Sequence, residues 1–393
     1  MIPFELSTST AVELADSLQP GAGKEAIAQR FLELGVPGNK SEHYRHFSIK
    51  LLLGSDYTLV QPAQGDMTLN AKTLEIRDGV VTTVPEGVKV TFQSGFEADT
   101  AHFDALYYLS HLLAPRCIVV GIDCSANINI VHRIECEESL LSYRIVFQIS
   151  PGCRVGVYET FKYGSSSGSL LLYGLDVSVG ESGKLTWIRN QSCDDADAVV
   201  IGSHCFDVKP QAELTLQTFD FGSGSALHLY KNDLADHTQT RVSHLLYAAG
   251  RARRGNVVNL RHNGAYATSV HLAKSILKES ATGIFDGLIR VGHDARYASA
   301  RQNAKAILLN DNAFMEAKPQ LEIYTDELEA SHGSSTGQLD EAALFYLRSR
   351  GIDLDEARKM LILSFANEMI AEVQDETLAE QIRNDFEAAY YKG

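Results

Sequence analysis

Three stretches of this chain superpose without a gap. "ISPGCRVGVYETF" from Ile149, "VGESGKLTWIRNQ" from Val179 and "VKPQAELTLQTFD" from Val208 each start on a β-branched residue and pass through a turn rich in Pro, Gly or Glu. Each then runs into a strand with apolar residues at alternate places. The spacings are 179 − 149 = 30 and 208 − 179 = 29 residues. A repeat of roughly 20 to 50 residues marks a solenoid or an array, because one unit alone cannot bury its apolar face. Side-chain alternation along a strand puts Val155 and Val157, Leu185 and Trp187, and Leu214 and Leu216 on the inner side. The competing arrangement is an antiparallel β-sandwich with evenly spaced hairpins. Three gap-free copies favour the solenoid, and the lack of strict hexapeptide steps argues against a left-handed acyltransferase-type helix.

Helical patterns flank this region. "TAVELADSL" and "KEAIAQRFLELG" read as two N-terminal helices, the second placing Ile27, Phe31 and Leu34 on one face. "SEHYRHFSIKLLL" is aromatic-rich and less regular; strand-like pieces follow from Tyr57 to Phe92. "HFDALYYLSHLL", 102–113, is one more helix, closed by Pro115. Beyond Thr336 the chain stays helical. Asp340 opens "DEAALFYLRSR", Asp353 and Glu356 have capping-box spacing before a face of Leu361, Phe365 and Met369, and "DETLAEQIRNDFEAAYYKG" forms a last helix. The expected division is an N-terminal helical and mixed region over 1–115, a β-solenoid core over 116–335 and a C-terminal helical domain over 336–393. The C-terminal helices are expected to close the solenoid, whose open end exposes unpaired strand edges.

Composition narrows the function. With 393 residues, 45% of them hydrophobic, the chain can bury a large core. A net charge of −15 argues against nucleic acid or an anionic membrane as the main partner. No apolar run approaches the roughly 18 to 20 residues that cross a bilayer, and "MIPFELSTSTAVELADSL" has no basic and apolar leader pattern. A cytoplasmic location is therefore expected, with Cys117, Cys124, Cys136, Cys153, Cys193 and Cys205 reduced and mostly buried as structural thiols. None of them is spaced as C-x-x-C.

Motifs for self-contained catalysis are missing. The chain has no G-x-x-x-x-G-K-[ST], G-x-S-x-G or H-E-x-x-H, and "GSSSGS" at 164–169 reads as a flexible turn. "RARRGN", Arg251 to Arg254, reads as a solvated turn, and "DDADA" at Asp194 as a loop. His228, His237, His244, His262, His271 and His293 read mainly as surface or turn residues of the solenoid. His332, inside "EASHGSSTG", has three readings: a base beside a serine, a metal ligand, or a turn residue in a polar connection. Its neighbour Ser331 points to the opposite face of an extended chain, which weakens the first.

"KPQLEIYTDELEASHGSSTGQLDEAALFYLRSRGI", 318–352, resembles the SufB/SufD family of iron–sulfur cluster assembly proteins, on its SufD side. The likeness takes in "GIFDGLIRV" from Gly283, "ARQNAKAILLNDNA" from Ala300, "ARKMLILSFANEMI" from Ala357 and, more weakly, "RFLELGVPGNKSEHYRHFSIKLL" near the N-terminus. The resemblance implies a right-handed parallel β-helix with helical regions at both ends. It implies a non-catalytic subunit that pairs with a SufB-like paralogue and docks a SufC-like ABC-type ATPase. His332 would be the ligand to iron or to a transient cluster shared with SufB, none being held tightly by this chain alone. Leu339, Phe345, Tyr346, Leu347, Arg348 and Arg350 would lie in the ATPase-docking region, and the isolated chain would pair with itself through the SufB surface. Many relatives carry a cysteine two residues before that histidine; here it is Ala330, so no thiolate ligand stands there. No cysteine follows Cys205, which argues against the SufB side, and no flavin motif is present. The other classes open to the chain are a structural β-solenoid binding module and a carbohydrate-active β-helix enzyme. The second would need clustered carboxylates on one solenoid face.

Overall fold

The computed structural model describes residues 24–37, 57–60, 64–93, 103–164 and 168–392, together with Glu13, Tyr44 and Phe47. The expected helix "TAVELADSL", apart from Glu13, and most of "SEHYRHFSIKLLL" lie outside the described residues. Five short strands come first: β1 (Thr58–Leu59), β2 (Thr68–Asn70), β3 (Thr73–Arg77), β4 (Val80–Pro85) and β5 (Lys89–Gln93). Sixteen further strands then alternate between two sheets. One sheet takes β6 (Cys117–Ile122), β8 (Ser139–Ile149), β10 (Leu170–Val179), β12 (Val199–Val208), β14 (Ser225–Leu234), β16 (Arg253–His262), β18 (Thr282–Val291) and β20 (Phe314–Ile323). The other takes β7 (Ala126–Ile134), β9 (Arg154–Tyr163), β11 (Lys184–Cys193), β13 (Glu213–Gly222), β15 (Gln239–Ala248), β17 (Thr268–Leu277), β19 (Ala298–Leu308) and β21 (Leu328–Gly337). Each strand from β6 onward pairs in parallel with the strand two places along the chain. The result is a parallel β-solenoid of eight coils, not a sandwich.

The repeat read from the sequence is this coil. Val155, Leu185 and Leu214 are register partners, as are Val157, Trp187 and Leu216, and all six are buried in one core between the sheets. The same register continues past the third copy, through Thr215↔Arg241, Arg241↔Val270, Val270↔Arg301 and Arg301↔Ser331. At one corner Ser182, Gln211, His237, Tyr266 and Tyr297 all take a left-handed backbone, and the last three rings stack. His237 is thus a turn residue, as expected.

Helices cover both outer faces. α1 (Lys24–Leu34) packs on α2 (Ala105–Leu113), which lies against β8, β10 and β12. Every residue of α2 is buried, since it is sandwiched between α1 and the sheet, and Asp104 caps it by accepting from the Leu106 amide at 2.8 Å. Ile27 and Phe31 of α1 are buried as expected, but Leu34 is exposed at the frayed end of the face. At the other end are α3 (Glu341–Ser349), α4 (Leu354–Ile370) and α5 (Glu376–Lys392), with Asp340 and Asp353 as N-caps of the first two. The buried face of α4 is Ile362, Ala366, Met369 and Ile370; Leu361 and Phe365 are half-buried at its edge.

The C-terminal helices do not close the solenoid. α4 and α5 lie along its flank, packing Ile362, Met369, Ile382 and Phe386 against Ile188, Phe221, Leu245, Tyr247 and Ile276 of the second sheet. Arg241 pairs with Glu372 and Lys274 with Glu368 across that seam. Two helices that each bury one face cover more apolar area along a flat sheet face than across a narrow solenoid end. At the first coil, β5 extends one sheet beyond β6 and β3 extends the other beyond β7. At the last coil, β20 and β21 each have a single ladder partner among the described residues.

Candidate functional site

His332 stands on that open last coil. "EASHGSSTG" is neither turn nor polar connection but part of β21, paired along its length with β19. In register, Gln302 of β19 faces His332, and the column runs back through His271, Val242, Leu216, Trp187 and Val157. His332 therefore occupies a lumen position, yet it is exposed, because no further coil lies above it. The reading of His332 as a turn residue in a polar connection is overturned. Ala330, two residues earlier, packs on the end of the solenoid core.

Behind this mouth the lumen is polar. Glu159 accepts from Trp187 Nε1 at 2.8 Å and lies 3.0 Å from His132 Nε2. Arg189, in register with Glu159, donates to His228 Nδ1 at 2.7 Å, and His204 lies 3.2 Å from that same nitrogen. Thr218 meets His244 at 2.6 Å, and Gln302 donates to His271 Nδ1 at 3.0 Å. Burial, and then the Arg189 charge, pushes the pKa of His204 and His228 well below the usual imidazole range. Burial, followed by His271, does the same to His244, and burial alone lowers His271 to about 3. These rings are neutral.

The expectation that His228, His244, His262 and His271 are surface or turn residues is thus corrected: all four are buried on strands. Arg254 is no solvated turn residue either. Its guanidinium is buried in the lumen and bonded to Asp220. A second buried cluster, Arg144, Asp176, Tyr107 and His111, ties α2 to the first sheet, with Arg144 2.9 Å from Asp176. For His271 alone among these the sequence held a signal, its register: carried forward from Trp187 in coil-length steps, it lands on His271, Gln302 and His332.

The helix after the mouth carries the other candidates. On α3, Leu344 is buried against α4, whereas Phe345 and Tyr346 are 75% and 56% exposed. Arg348 and Arg350 are exposed, the Arg350 guanidinium 5.0 Å from the Tyr346 ring centre. Leu347 is half-buried, and Leu339 packs against the core beneath α4 and α5. Phe345, Tyr346, Arg348 and Arg350 thus make up the exposed set of these candidates. Leu339 does not belong to it.

All six cysteines are free thiols. Cys117, Cys153 and Cys193 are buried, Cys136 and Cys205 half-buried and Cys124 exposed. Burial pushes Cys117 and Cys193 up to about 11 and Cys136 up to about 12. Among the described residues no group of three or more His, Cys, Asp or Glu is arranged to hold a metal ion, and no helix is long and apolar enough to cross a membrane.

Comparison with known proteins meets this geometry. Residues 132–365, from β7 into α4, match the family described as "SUF system FeS cluster assembly, SufBD core domain". The chain is 25% identical over 385 residues to the iron–sulfur cluster assembly protein SufD of Escherichia coli, covering 90% of this chain and 89% of that one. It is 24% identical to the chloroplastic protein ABCI7 of Arabidopsis thaliana, covering 97% and 90%. Against SufD of Bacillus subtilis it is 29% identical over 160 residues, covering 41% and 36%. With the family match spanning more than half of its length and the β-solenoid in place, the chain belongs to the SufBD family of the SUF iron–sulfur cluster assembly system, on the side of its SufD members.

Proposed function

We propose that this chain is a scaffold subunit of iron–sulfur cluster assembly, without catalysis of its own. Its open last coil pairs with the solenoid of a SufB-like paralogue, and α3 docks a SufC-like ABC-type ATPase. The observation that carries the reading is His332: a lumen-column residue left exposed on an edge strand that is paired on one side only among the described residues. Exposed edges with free N–H and C=O groups are templates for another chain, and natural proteins cover them when no partner is meant to bind. A neutral imidazole is an intermediate ligand for iron, and one imidazole alone does not hold a metal. His332 therefore supplies one ligand to iron or to a nascent cluster, the cargo of the complex, and the paralogue supplies the rest. Phe345 and Tyr346 beside Arg348 and Arg350 combine aromatic and Arg side chains of the kind enriched at interfaces. Nucleotide-driven motion of the ATPase would then open or close the shared site. Purified alone, the chain pairs with a second copy through the same open end.

The test is an anaerobic pull-down of the tagged full chain from its host, with partners identified by mass spectrometry. A SufB-like protein and an ABC-type ATPase are expected. His332→Ala should keep both partners and lower the iron and acid-labile sulfide recovered with the complex. A chain that comes out alone, or a His332→Ala complex with unchanged iron and sulfide, defeats the reading.

A further inference from the structure

Gln302 lies one coil behind His332 in the same lumen column, so their backbones are about 4.8 Å apart. Its side chain is buried and held at one end. Nε2 donates to His271 Nδ1 at 3.0 Å. It also lies over Gly287, where an added Cβ would stand 2.2 Å from Nε2 and 2.8 Å from Phe285 Cζ, so only glycine leaves the amide room. The other end is different: Oε1 is buried and has no hydrogen-bond partner among the described residues. A buried acceptor left open is costly, and the next side chain along the column is the His332 imidazole.

A neutral imidazole carries one N–H and one lone pair, so whatever takes the N–H decides which nitrogen can bind a metal. We propose that Gln302 is a positioning residue for His332: its Oε1 takes the N–H of one ring nitrogen and leaves the lone pair of the other facing out of the open end. Holding a ligating histidine through its second nitrogen fixes ring and tautomer together, a device that metal sites use widely. The inference rests on reading His332 as a ligand; the structure leaves Oε1 unpaired one register step from His332, and the hydrogen bond is tested in the metal-free chain.

The experiment is long-range ¹H–¹⁵N correlation on the full, metal-free chain labelled at histidine, at about pH 8, above the usual imidazole range. His332 is assigned by the signal that His332→Ala removes. One pyrrole-like and one pyridine-like nitrogen are expected in the wild type. Gln302→Met, close in volume but without the acceptor, should collapse that pair toward the averaged shifts of a freely exchanging imidazole. Gln302→Glu, which keeps an acceptor oxygen, should restore it. Averaged shifts in the wild type, or an unchanged pair in Gln302→Met, overturn the proposal; should Gln302→Met not fold, the wild-type spectrum still decides. Failure of the ligand reading would show separately, as unchanged iron and sulfide in the His332→Ala complex beside an intact tautomer signature.

Discussion

β8 and β21 are strands of nearly equal length in the same parallel solenoid, and they end up in opposite surroundings. Ten of the eleven residues of β8 are buried, and none of the ten residues of β21 is. Pairing is not the cause, since each forms a full ladder where it has a neighbour. β8 has strands on both sides and α2 across its outer face, whereas among the described residues β21 has one ladder partner and no helix packed across it. Burial in a solenoid is thus set by what lies on a strand and beside it. In this chain the covered length carries stability, and the bare end is where the proposed function sits.

The sharpest way to break that contrast is acid. His111, His204, His228, His244, His262 and His271 are buried with folded pKa values below their unfolded ones, His111 and His262 near 4. The unfolded chain takes up protons near pH 6.5 that the folded chain refuses. Stability is therefore full above about pH 6.5 and falls as the pH drops, by about 1.4 kcal/mol per unit for each histidine. Six of them in parallel amount to about 8 kcal/mol per unit, comparable to the whole stability of an ordinary domain. Thermal melts should show the solenoid failing between about pH 6.5 and 5. A melting temperature unchanged down to pH 5 would mean that the lumen histidines are not buried neutral.

A smaller effect should come from the lumen itself. Trp187 is fully buried, meets Phe147 edge-on at 5.1 Å and donates to Glu159. Trp187→Ala leaves a cavity and removes a partner from a buried carboxylate, for an expected loss of about 3 to 5 kcal/mol in urea unfolding. A cost under about 1 kcal/mol would place Trp187 outside the cooperative core.

At the bare end the expected costs are slight. Phe345→Ser with Tyr346→Ser removes exposed rings, so stability should change by no more than about 0.5 kcal/mol per site while capture of the ATPase is lost. His332→Ala should be the mildest, also within about 0.5 kcal/mol, with its effect confined to iron and sulfide content. A loss of about 2 kcal/mol from His332→Ala would show that the last coil is held from within, and the contrast between the two ends would fail.

The solenoid, its period and the inner columns through Trp187 were legible because the Val155 and Val157 columns stay apolar through the early coils, where alternation is a direct signal. Farther along, the Trp187 column carries His271 and Gln302, and the neighbouring lumen column carries Glu159, Arg189, Thr218 and His244, so alternation no longer separates inside from outside. That is why four buried histidines and Arg254 read as surface residues. The site was legible by another route. The segments around Lys318 and His332 carried the resemblance, and capping by Asp340 and Asp353 marked α3 and α4.

What the chain settles by itself is local: strand length, turn chemistry at each corner, helix caps, and which residue of each coil turns inward. These follow from side-chain volume, charge and backbone preference within a few residues. Where the C-terminal helices went was a tertiary decision. Capping the solenoid end and lying along its flank satisfy the same amphipathic pattern, and the flank won because the sheet face offers Phe221, Leu245, Tyr247 and Ile276 in one apolar surface. His332 is exposed for that reason: its own sequence places it in the lumen, and the absence of a ninth coil or a helix above it among the described residues leaves it in the open.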